Sequence, residues 1–587
     1  MSNTEDKDDV DAALEELEPL GRYTLIQYTL QSVLALCITQ QMVSVMFTGQ
    51  TNHFRCPITG NISTSNSSLN SSEFINISSL HKFGDSCVAK TSHNTSGSGA
   101  CSALEVEYEL PKDRSFYSDF DLVCDREVLG RLSQSLLVIG NAIATFTFPY
   151  FVDHHGRKPV VLFCSVMSLL SSIGLATSVN YPMLAVFKIL VGIFVQGLQA
   201  SSVTMNMEIL VTRHRASMFA CLGSVIWSLA SITLSPMAYL FRSSSWKSLE
   251  LGLLAFYIPI LLMPFFLDES LRWLSANGRK AEVVKILKRA SKQNGKSFER
   301  VIKAFTRGRY ENSNMHTGIE IKPIGSFIVN PPNDESGQSV KETGSKDTKQ
   351  KSTTDVVDTE QQAGTEIDKE EKLSFWQLFT DPMLRVHVIF AIVSWFFNSL
   401  TFFSLTLMAS TLHGSLYLNF AINILVEIPQ AFFLYLFLDK LGRRLCFSLF
   451  SLLTGASLIS MAMLRYLAPE QSIAIMVLSL IGKLSVTGSY NIIYTYTPEL
   501  FPTNLRNMGF GVSYLSARVG GMLSPFSEML MKEIVYAPGV IFGVGNLLLS
   551  FSTYFLPETT QHQLPQTLAE MKRWKDDKKD EKPLKKS

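Results

Sequence analysis

Long stretches of this 587-residue chain contain no charged side chain. Residues 134–152, 159–187 and 445–464 hold no Asp, Glu, Lys or Arg, although 18% of the whole chain is charged. A run of about 20 apolar residues is what a helix needs to cross a hydrocarbon core of roughly 30 Å. The sequence therefore predicts an all-α, polytopic membrane protein.

Apolar runs of this kind recur along the whole chain. They predict twelve transmembrane spans, at residues 23–48, 131–152, 159–179, 183–210, 217–240, 248–267, 384–409, 415–438, 445–464, 470–496, 507–531 and 534–556. Lys and Arg concentrate in the short loops after spans two, four, eight and ten, and this bias marks the cytoplasmic side of a membrane protein. We therefore expect a multi-pass protein, in the plasma membrane, with both termini in the cytoplasm.

The spans divide the chain into two halves joined by a linker. An acidic N-terminus at 1–22 precedes the first half at 23–267, and a tail at 557–587 follows the second half at 384–556. Residues 1–22 lack the basic start and the cleavage site of a signal peptide. Within the linker at 268–383, the basic stretch 279–309 is patterned as helix, and residues 310–370 are polar enough to predict disorder.

The segment at 49–130 is hydrophilic and is expected on the extracellular side. It contains five acceptor sequons for N-glycosylation, at Asn61, Asn66, Asn70, Asn76 and Asn94. Four of the eight cysteines lie there as well, namely Cys56, Cys87, Cys101 and Cys124. In an oxidising compartment four cysteines form up to two disulfides, whose pairing the sequence leaves open.

Charge and motif content exclude several classes of protein. The net charge of +1 argues against nucleic-acid binding. No spacing of cysteines matches a zinc site, and we find no nucleophile elbow, no metal-ligand cluster and no phosphate-binding loop. The sequence therefore predicts a protein that is not an enzyme and that needs no cofactor. It indicates no obligatory protein partner, and the lipid bilayer is its expected surrounding.

Three sequence features of the first half recur in the second half at nearly one offset. Residues 153–158 read DHHGRK and residues 439–444 read DKLGRR, 286 positions later. Glu208 and Arg215, which are seven residues apart, recur as Glu499 and Arg506, 291 positions later. The segment LDES, at the end of the first half, recurs as LPET at the end of the second half, 289 positions later. A parallel repeat of six spans is the architecture of major facilitator transporters.

These motifs resemble those of the organic cation, anion and carnitine transporter family of solute carriers. The resemblance rests on both loops, on 268–274 (DESLRWL), on 499–509 (ELFPTNLRNMG) and on the LPET end, and it covers nearly the whole chain. The closest likeness is to the carnitine and organic cation branch, through 412–414 (LHG) and 506–509 (RNMG). Leu271 stands where the family usually has proline, and the linker is longer than usual. The resemblance implies a major facilitator fold of twelve helices.

The repeated loops carry the residues of a predicted conformational latch. Gly156 and Gly442 permit a tight turn between helices, and neighbouring charges are expected to pair across the two halves at the cytoplasmic face. The predicted residues are Asp153, Gly156, Arg157, Glu208 and Arg215 in the first half, and Asp439, Gly442, Arg443, Glu499 and Arg506 in the second. The alternative is a basic loop that only sets orientation.

Three ionisable residues fall near the middle of their spans: Glu427, Lys483 and Arg518. A charge at the bilayer centre costs about 2.5–3.5 kcal/mol on insertion scales, so it usually faces a cavity or a partner. Glu427 could pair with the ammonium of a ligand and Arg518 with its carboxylate. These two pairings together predict a site for a zwitterion. The resemblance adds that Arg518 stands where the cation branch has aspartate. The alternative is a structural ion pair of Glu427 with Lys483 or Arg518.

Aromatic residues near these charges complete the predicted substrate site. Trp395, Phe402 and Tyr490 are candidates because an amine is attracted to an aromatic face by about 0.5–2 kcal/mol. Packing inside the membrane is the alternative for each of them. Trp395 and Phe402 lie seven residues apart on one face of span seven, and Tyr490 lies in span ten.

Three functions compete at this level. The first is a secondary transporter of small organic cations or zwitterions, carnitine-like, by alternating access. The second keeps the fold and makes the substrate an organic anion, attracted by Lys483 and Arg518. The third is a transporter-like receptor or scaffold that signals through its linker. A coupling ion, sodium or proton, is left open.

We predict that the segment at 49–130 is glycosylated. Glycosidase treatment should lower the apparent mass of the protein at the cell surface, and replacing all five sequon asparagines by glutamine should abolish that shift. A surface-expressed protein whose mass does not change with glycosidase would contradict the predicted orientation.

Overall fold

The fold is described from a computed structural model of the chain. It describes residues 10–560 except 20, 51, 53, 58–73, 77–80, 84–85, 91–97, 102–105, 212–214, 314–375 and 412–413. Most of the segment predicted to be disordered lies outside the described residues, as do the tail beyond 560 and Asn61, Asn66, Asn70 and Asn94.

Helices account for most of the described chain. In the first half they are α1 Val10–Glu16, α2 Arg22–Val43, α3 Val45–Thr48, α4 Phe116–Asp119, α5 Glu127–His155, α6 Arg157–Ala176, α7 Tyr181–Ile209, α8 Arg215–Ile232, α9 Leu234–Leu240, α10 Trp246–Leu253 and α11 Ile258–Leu262. The linker contributes α12 Leu271–Ala276, α13 Lys280–Asn294, α14 Phe298–Ser313 and α15 Gln377–Thr380. The second half contains α16 Pro382–Leu407, α17 Leu416–Leu425, α18 Glu427–Leu441, α19 Arg443–Leu467, α20 Ser472–Glu499, α21 Thr503–Leu523, α22 Phe526–Glu533 and α23 Ala537–Ser552.

Within the described residues, ten helical segments are long and apolar enough to cross a membrane by themselves. The two other predicted spans, six and eleven, depart from this standard for different reasons. Span six is divided into α10 and α11 by a 3-10 turn at Leu254–Tyr257. Span eleven is divided between α21 and α22 and includes the charged residues Arg518 and Glu528.

Prolines explain why spans five and eight are each made of two helices. Proline has no backbone N–H, so it cannot donate to the carbonyl four residues earlier. Pro236 removes the bond to Ile232, where α8 ends, and Pro429 removes the bond to Leu425, where α17 ends. As a result α18 begins at Glu427, whose carboxylate lies at the positive end of a helix dipole.

The segment between α3 and α4 contains short strands, which the sequence analysis did not place. β1 Phe54–Pro57, β2 Phe74–Asn76 and β6 Glu107–Tyr108 form one antiparallel sheet, and β3 His81–Phe83, β4 Ser86–Lys90 and β5 Ser98–Cys101 form another. Cys87 and Cys101 are partners in the register of β4 and β5. We call the end of the bundle that carries these sheets the loop end, and the opposite end, where α12–α14 lie, the linker end.

A separate hydrophobic cluster lies at the linker end. Leu14 and Leu17 of the N-terminal segment pack there with Leu274, Leu287 and Phe305 of the linker helices. Two ion pairs attach the N-terminal segment to the same helices, because Arg272 Nη2 lies 2.6 Å from Asp11 Oδ1 and Lys296 Nζ lies 2.6 Å from Glu18 Oε1. Residues 10–18 and the first part of the linker therefore pack together as one unit.

Among the described residues, the aromatic contacts and most side-chain hydrogen bonds between the two halves lie toward the loop end. Phe47 stacks on Tyr417 with ring centroids 5.5 Å apart and meets Phe420 edge to face at 5.3 Å. Ser135 Oγ, two turns into α5, donates to the carbonyl of Met522 in α21 at 2.7 Å. Ser235 Oγ donates to the carbonyl of Tyr417 at 2.8 Å. The loop end is therefore closed in this structure.

Charged residues complete this closure. Arg131 Nη1 of α5 lies 2.5 Å from Glu528 Oε2 of α22, and Lys532 Nζ of α22 lies 3.0 Å from Glu127 Oε1 of α5. The Arg131 side chain is only 6% exposed, and its guanidinium also faces the ring of Tyr117 at 5.6 Å. Because Arg131 is withdrawn from water, its pairing with Glu528 stabilises the closed loop end more than a surface pair would.

We predict that Glu528→Gln opens the loop end more often. Losing one partner of a buried charge pair costs about 2 kcal/mol or more, which corresponds to a labelling rate at least about tenfold higher for a cysteine placed at the buried contact Ser135. The measurement is the reaction of Ser135→Cys with a membrane-impermeant maleimide. Glu533→Gln, at an exposed residue of the same helix, is the matched control. Equal labelling of the two variants would contradict this role of Glu528.

Candidate functional site

A small cavity lies where four spans from both halves meet. Its volume is about 20 Å³. It is lined by Met42, Val43 and Met46 of span one, Gln134, Leu137, Val138 and Asn141 of α5, Phe403, Thr406 and Leu407 of α16, and Ala517, Arg518, Gly521 and Ser524 of span eleven. Arg518 is the one charged residue in this lining, as far as the structure describes it.

Arg518 is held in place by its neighbour one turn earlier. Its guanidinium donates to the hydroxyl of Tyr514 and lies over the ring of that residue, 4.4 Å from the centroid. The residue is 8% exposed, and its buried Nε–H has no acceptor among the described atoms. A buried cation with an unused donor beside a cavity is suited to an anionic ligand.

Two amide side chains face the same cavity from the first half. Gln134 and Asn141 are seven residues apart on α5 and therefore lie on one helix face. Among the described atoms, neither the oxygen nor the nitrogen of the Asn141 amide has a hydrogen-bond partner, and the Gln134 oxygen also lacks one. Unpaired buried polar groups are costly and are found where a ligand or water supplies the missing partner. Neither residue stands out in the sequence, because neutral amides lack the charge or the aromatic ring that marks a candidate inside a span.

Glu427 and Lys483 form an ion pair directly behind this cavity. Lys483 Nζ lies 3.0 Å from Glu427 Oε1, and the two side chains are 0% and 2% exposed. The ammonium also donates to Thr406 Oγ1 at 2.7 Å and lies 3.3 Å from the ring centroid of Phe402. Ser228 Oγ, from the other half, donates to Glu427 Oε2 at 3.3 Å. Each charge thus has its partner inside the protein.

The predicted aromatic residues form a packed cluster beside the pair. Trp395 is fully buried, donates from its indole N–H to Thr497 Oγ1 at 2.9 Å, and meets Tyr490 edge to face at 5.8 Å. Tyr490 lies 5.6 Å from Phe402. Trp395 is surrounded by rings, since Tyr494, Phe510 and Tyr514 also lie within 6 Å of it.

Of the six predicted substrate residues, only Arg518 lines the cavity. Glu427, Lys483, Phe402, Tyr490 and Trp395 are linked to one another in a continuous chain of contacts behind the cavity. The expectation that Glu427 presents a free carboxylate to an ammonium does not match this geometry, because Lys483 occupies that carboxylate.

At the linker end, the two repeated loops have the same geometry. Gly156 and Gly442 have φ of +95° and +90°, which favours glycine. Glu269 accepts from the backbone N–H of Arg157 at 3.0 Å and of Lys158 at 3.1 Å, at the start of α6. Glu558 does the same for α19, accepting from Arg443 at 2.9 Å and Arg444 at 3.1 Å. The sequence analysis assigned no role to these two glutamates, although their repeat offset was the available signal.

The predicted pairing of the latch charges across the halves is wrong for this structure. Arg157 forms a bidentate pair with Glu208 at 2.7 and 3.0 Å and lies 3.3 Å from Asp153. Arg443 lies 2.8 Å from Asp439 and 3.5 Å from Glu499. All of these residues belong to the same half as their partners. They pair locally because the helix ends they join are adjacent within each six-span half. Their role as a latch stays a prediction.

The remaining predicted residues have simpler outcomes. Arg506 Nε donates to the carbonyl of Pro498 at 2.9 Å, whereas the side chain of Arg215 lies outside the described part. Asn76 lies in β2, and Cys56, Cys87 and Cys101 lie in strands whose side chains are likewise not described. Cys124 is disulfide-bonded. Burial raises the pKa of the Glu269 carboxyl. The hydrogen bonds that this carboxylate accepts from backbone N–H groups oppose the rise.

Comparison with known proteins identifies the fold and its relatives. The sequence profile of the Major Facilitator Superfamily matches residues 131–525. The chain is 28% identical to Organic anion transporter 3 of Homo sapiens over 468 residues, which is 80% of this chain and 76% of that protein. It is 27% identical to the Organic cation transporter protein of Drosophila melanogaster over 462 residues, 78% of this chain and 74% of the relative.

A solved structure with the same fold is the xylose transporter XylE from E. coli in a partially occluded inward open conformation. It aligns with a TM-score of 0.57 at 13% identity, over 92% of this chain and 100% of that one. Together with the profile match, this similarity confirms the predicted fold class.

We predict that Glu269→Ala lowers the thermal stability of the protein. The carboxylate accepts from the N–H groups at the start of α6 and interacts with its dipole, so its loss should cost about 1–2 kcal/mol. The measurement is the apparent Tm in detergent, and Glu558→Ala should show a similar loss because the second loop has the same geometry. The control is Glu533→Ala, since Glu533 is an exposed carboxylate at the last residue of α22 and so does not lie at a helix N-terminus. A Tm for Glu269→Ala equal to that of the control would contradict the assignment.

Proposed function

This chain belongs to the Major Facilitator Superfamily, and we propose that it is a secondary transporter of organic anions that works by alternating access between its two six-span halves. The coarser statement, a transporter of the organic anion and cation type, follows from its relatives. The choice of anions rests on the charges around the cavity.

The observation that carries this proposal is the different pairing of the three buried charges. Glu427 and Lys483 neutralise one another at 3.0 Å. Arg518 has no carboxylate partner among the described residues, and its guanidinium lines the cavity between the halves. The charge left for a ligand is therefore positive, and a charge in a site of low dielectric attracts the opposite sign strongly.

The side chains that line the cavity suit an organic carboxylate. In this closed state the volume of about 20 Å³ has room for only about one water molecule, so the carboxylate would bind after the halves move apart. The Arg518 Nε–H and the Asn141 amide provide donors without partners among the described atoms. Met42, Met46, Leu137 and Phe403 provide apolar contact for a hydrocarbon or aryl group. An apolar lining with a few placed polar groups is typical of small-molecule sites.

A carnitine-like zwitterion is the second candidate, because Arg518 would also bind its carboxylate. Its ammonium would need an anionic or aromatic partner. Glu427 would have to leave Lys483 to provide one, and the cost of leaving a buried lysine unpaired opposes that exchange. A simple cation is disfavoured for the further reason that Arg518 would repel it.

The loop end is extracellular in this proposal, and the termini and linker helices are cytoplasmic, in the plasma membrane. The closure at the loop end then describes a state in which the site is shut toward the outside. The ion pairs at the linker end stay within each half, so the halves can rock without breaking them. A receptor or scaffold role would instead show no flux.

The proposal is tested by uptake of labelled benzoate, tetraethylammonium and carnitine, with sodium present and absent. We expect uptake of benzoate and little uptake of tetraethylammonium. Arg518→Ala should raise the KM for benzoate at least about tenfold, since losing the partner of a buried charge costs about 2–5 kcal/mol, and Arg518→Lys should recover part of that loss.

Lys288→Ala, at an exposed lysine of α13, is the control for loss of one positive charge, and surface expression is measured for each variant. Uptake of tetraethylammonium but not of benzoate would overturn the anion proposal. Preferential uptake of carnitine would favour the second candidate, and no flux of any substrate would favour the receptor.

A further inference from the structure

We propose that Glu427 determines the charge of the anion that the protein transports. Because its carboxylate pairs with Lys483, only Arg518 is left to bind a ligand carboxylate, and the site is restricted to monoanions. This inference rests on the proposed function and deepens it. Two positive charges lie near the cavity, Arg518 and Lys483, and within the described part of the chain only Arg518 has no carboxylate partner.

Lys483 is within one hydrogen bond of the cavity. Its ammonium donates to Thr406 Oγ1 at 2.7 Å, and Thr406 itself lines the cavity together with Arg518. The Thr406 hydroxyl donates its own hydrogen to the carbonyl of Phe402 at 2.8 Å, so it does not relay a hydrogen bond from Lys483 to a ligand. A ligand carboxylate beside Thr406 would instead be attracted by the charge of Lys483 across the width of one side chain.

Glu427 is fixed in the position that a second ligand carboxylate would need. It is the first residue of α18, because Pro429 ends the preceding helix, and the helix dipole stabilises a carboxylate there. Its second oxygen accepts from Ser228 Oγ of the other half at 3.3 Å. The Ser228 hydroxyl also lies 2.9 Å from the carbonyl of Ser224, so the ion pair with Lys483 is the stronger contact that holds the Glu427 carboxylate.

Charge balance then separates monoanions from dianions. A monoanion pairs with Arg518 and leaves the Glu427–Lys483 pair intact. A dianion brings a second carboxylate near Glu427, where it finds no free cation and is repelled by the negative charge already present. Removing the charge of Glu427 would leave Lys483 as a second cationic anchor.

The test compares two acids of equal chain length as competitors of labelled benzoate uptake: hexanoate with one carboxylate and adipate with two. In the unsubstituted protein we expect hexanoate to compete at least as well as adipate. In Glu427→Gln the ratio of inhibition constants should shift about tenfold or more in favour of adipate. In Glu427→Gln/Lys483→Gln the ratio should return to the original value, because the second anchor is gone.

Glu427→Asp is the conservative control and should keep the original ratio, since it keeps the charge. A ratio unchanged in a surface-expressed Glu427→Gln protein would overturn the inference and assign the pair a purely structural role. If Glu427→Gln fails to reach the surface, Lys483→Gln decides: its uncompensated Glu427 should raise the KM for benzoate about tenfold, and the double variant should restore it. An unchanged KM would overturn the inference. Absence of benzoate uptake by the unsubstituted protein would instead overturn the proposed function.

Discussion

The ion pair between Glu427 and Lys483 determines which charge the site offers to a ligand. Neither residue is stable as a lone charge in the membrane interior, because the desolvation of each costs several kcal/mol. Their pairing at 3.0 Å satisfies both and joins α18, α20 and α16 through Thr406 and Phe402. The same pairing removes from the site the carboxylate that a cationic substrate would require, and so it leaves Arg518 to define the ligand.

The same need to satisfy buried polar groups organises the linker end, where the two halves use matching solutions. Glu269 and Glu558 each accept from the first backbone N–H groups of a helix, beside a glycine whose backbone suits only a residue without Cβ. Arg157 and Arg443 then pair with acidic residues of their own half. These contacts make each half a self-contained unit. The contacts between halves are concentrated toward the loop end, so rigid-body rocking of the halves has to break aromatic contacts, hydrogen bonds and ion pairs there.

Much of the site could be found in the sequence, but its roles could not. The sequence shows three ionisable residues near the middle of their spans, namely Glu427, Lys483 and Arg518. Their position is consistent with a substrate site or with a structural ion pair. Sequence spacing cannot tell which two of three buried charges meet, because they lie on three helices whose rotation depends on packing. Gln134 and Asn141 were missed since neutral polar residues occur in many spans, and only their unpaired atoms beside a cavity reveal a role.

The sequence by itself predicted the fold class, which the structure and the profile match confirm, because apolar length and repeated motifs can be read from the chain alone. Ten of the twelve predicted spans correspond to described helical segments that are long and apolar enough to cross a membrane. Proline positions also explain from sequence where spans five and eight break. Only the tertiary structure decided the partners: that the motif charges pair within each half, that Arg131 meets Glu528 across the halves, and that Lys483 belongs to Glu427. The reason is physical, since a buried charge pairs with whatever opposite charge the packing of helices brings within about 4 Å, and that distance is set between segments far apart in the chain.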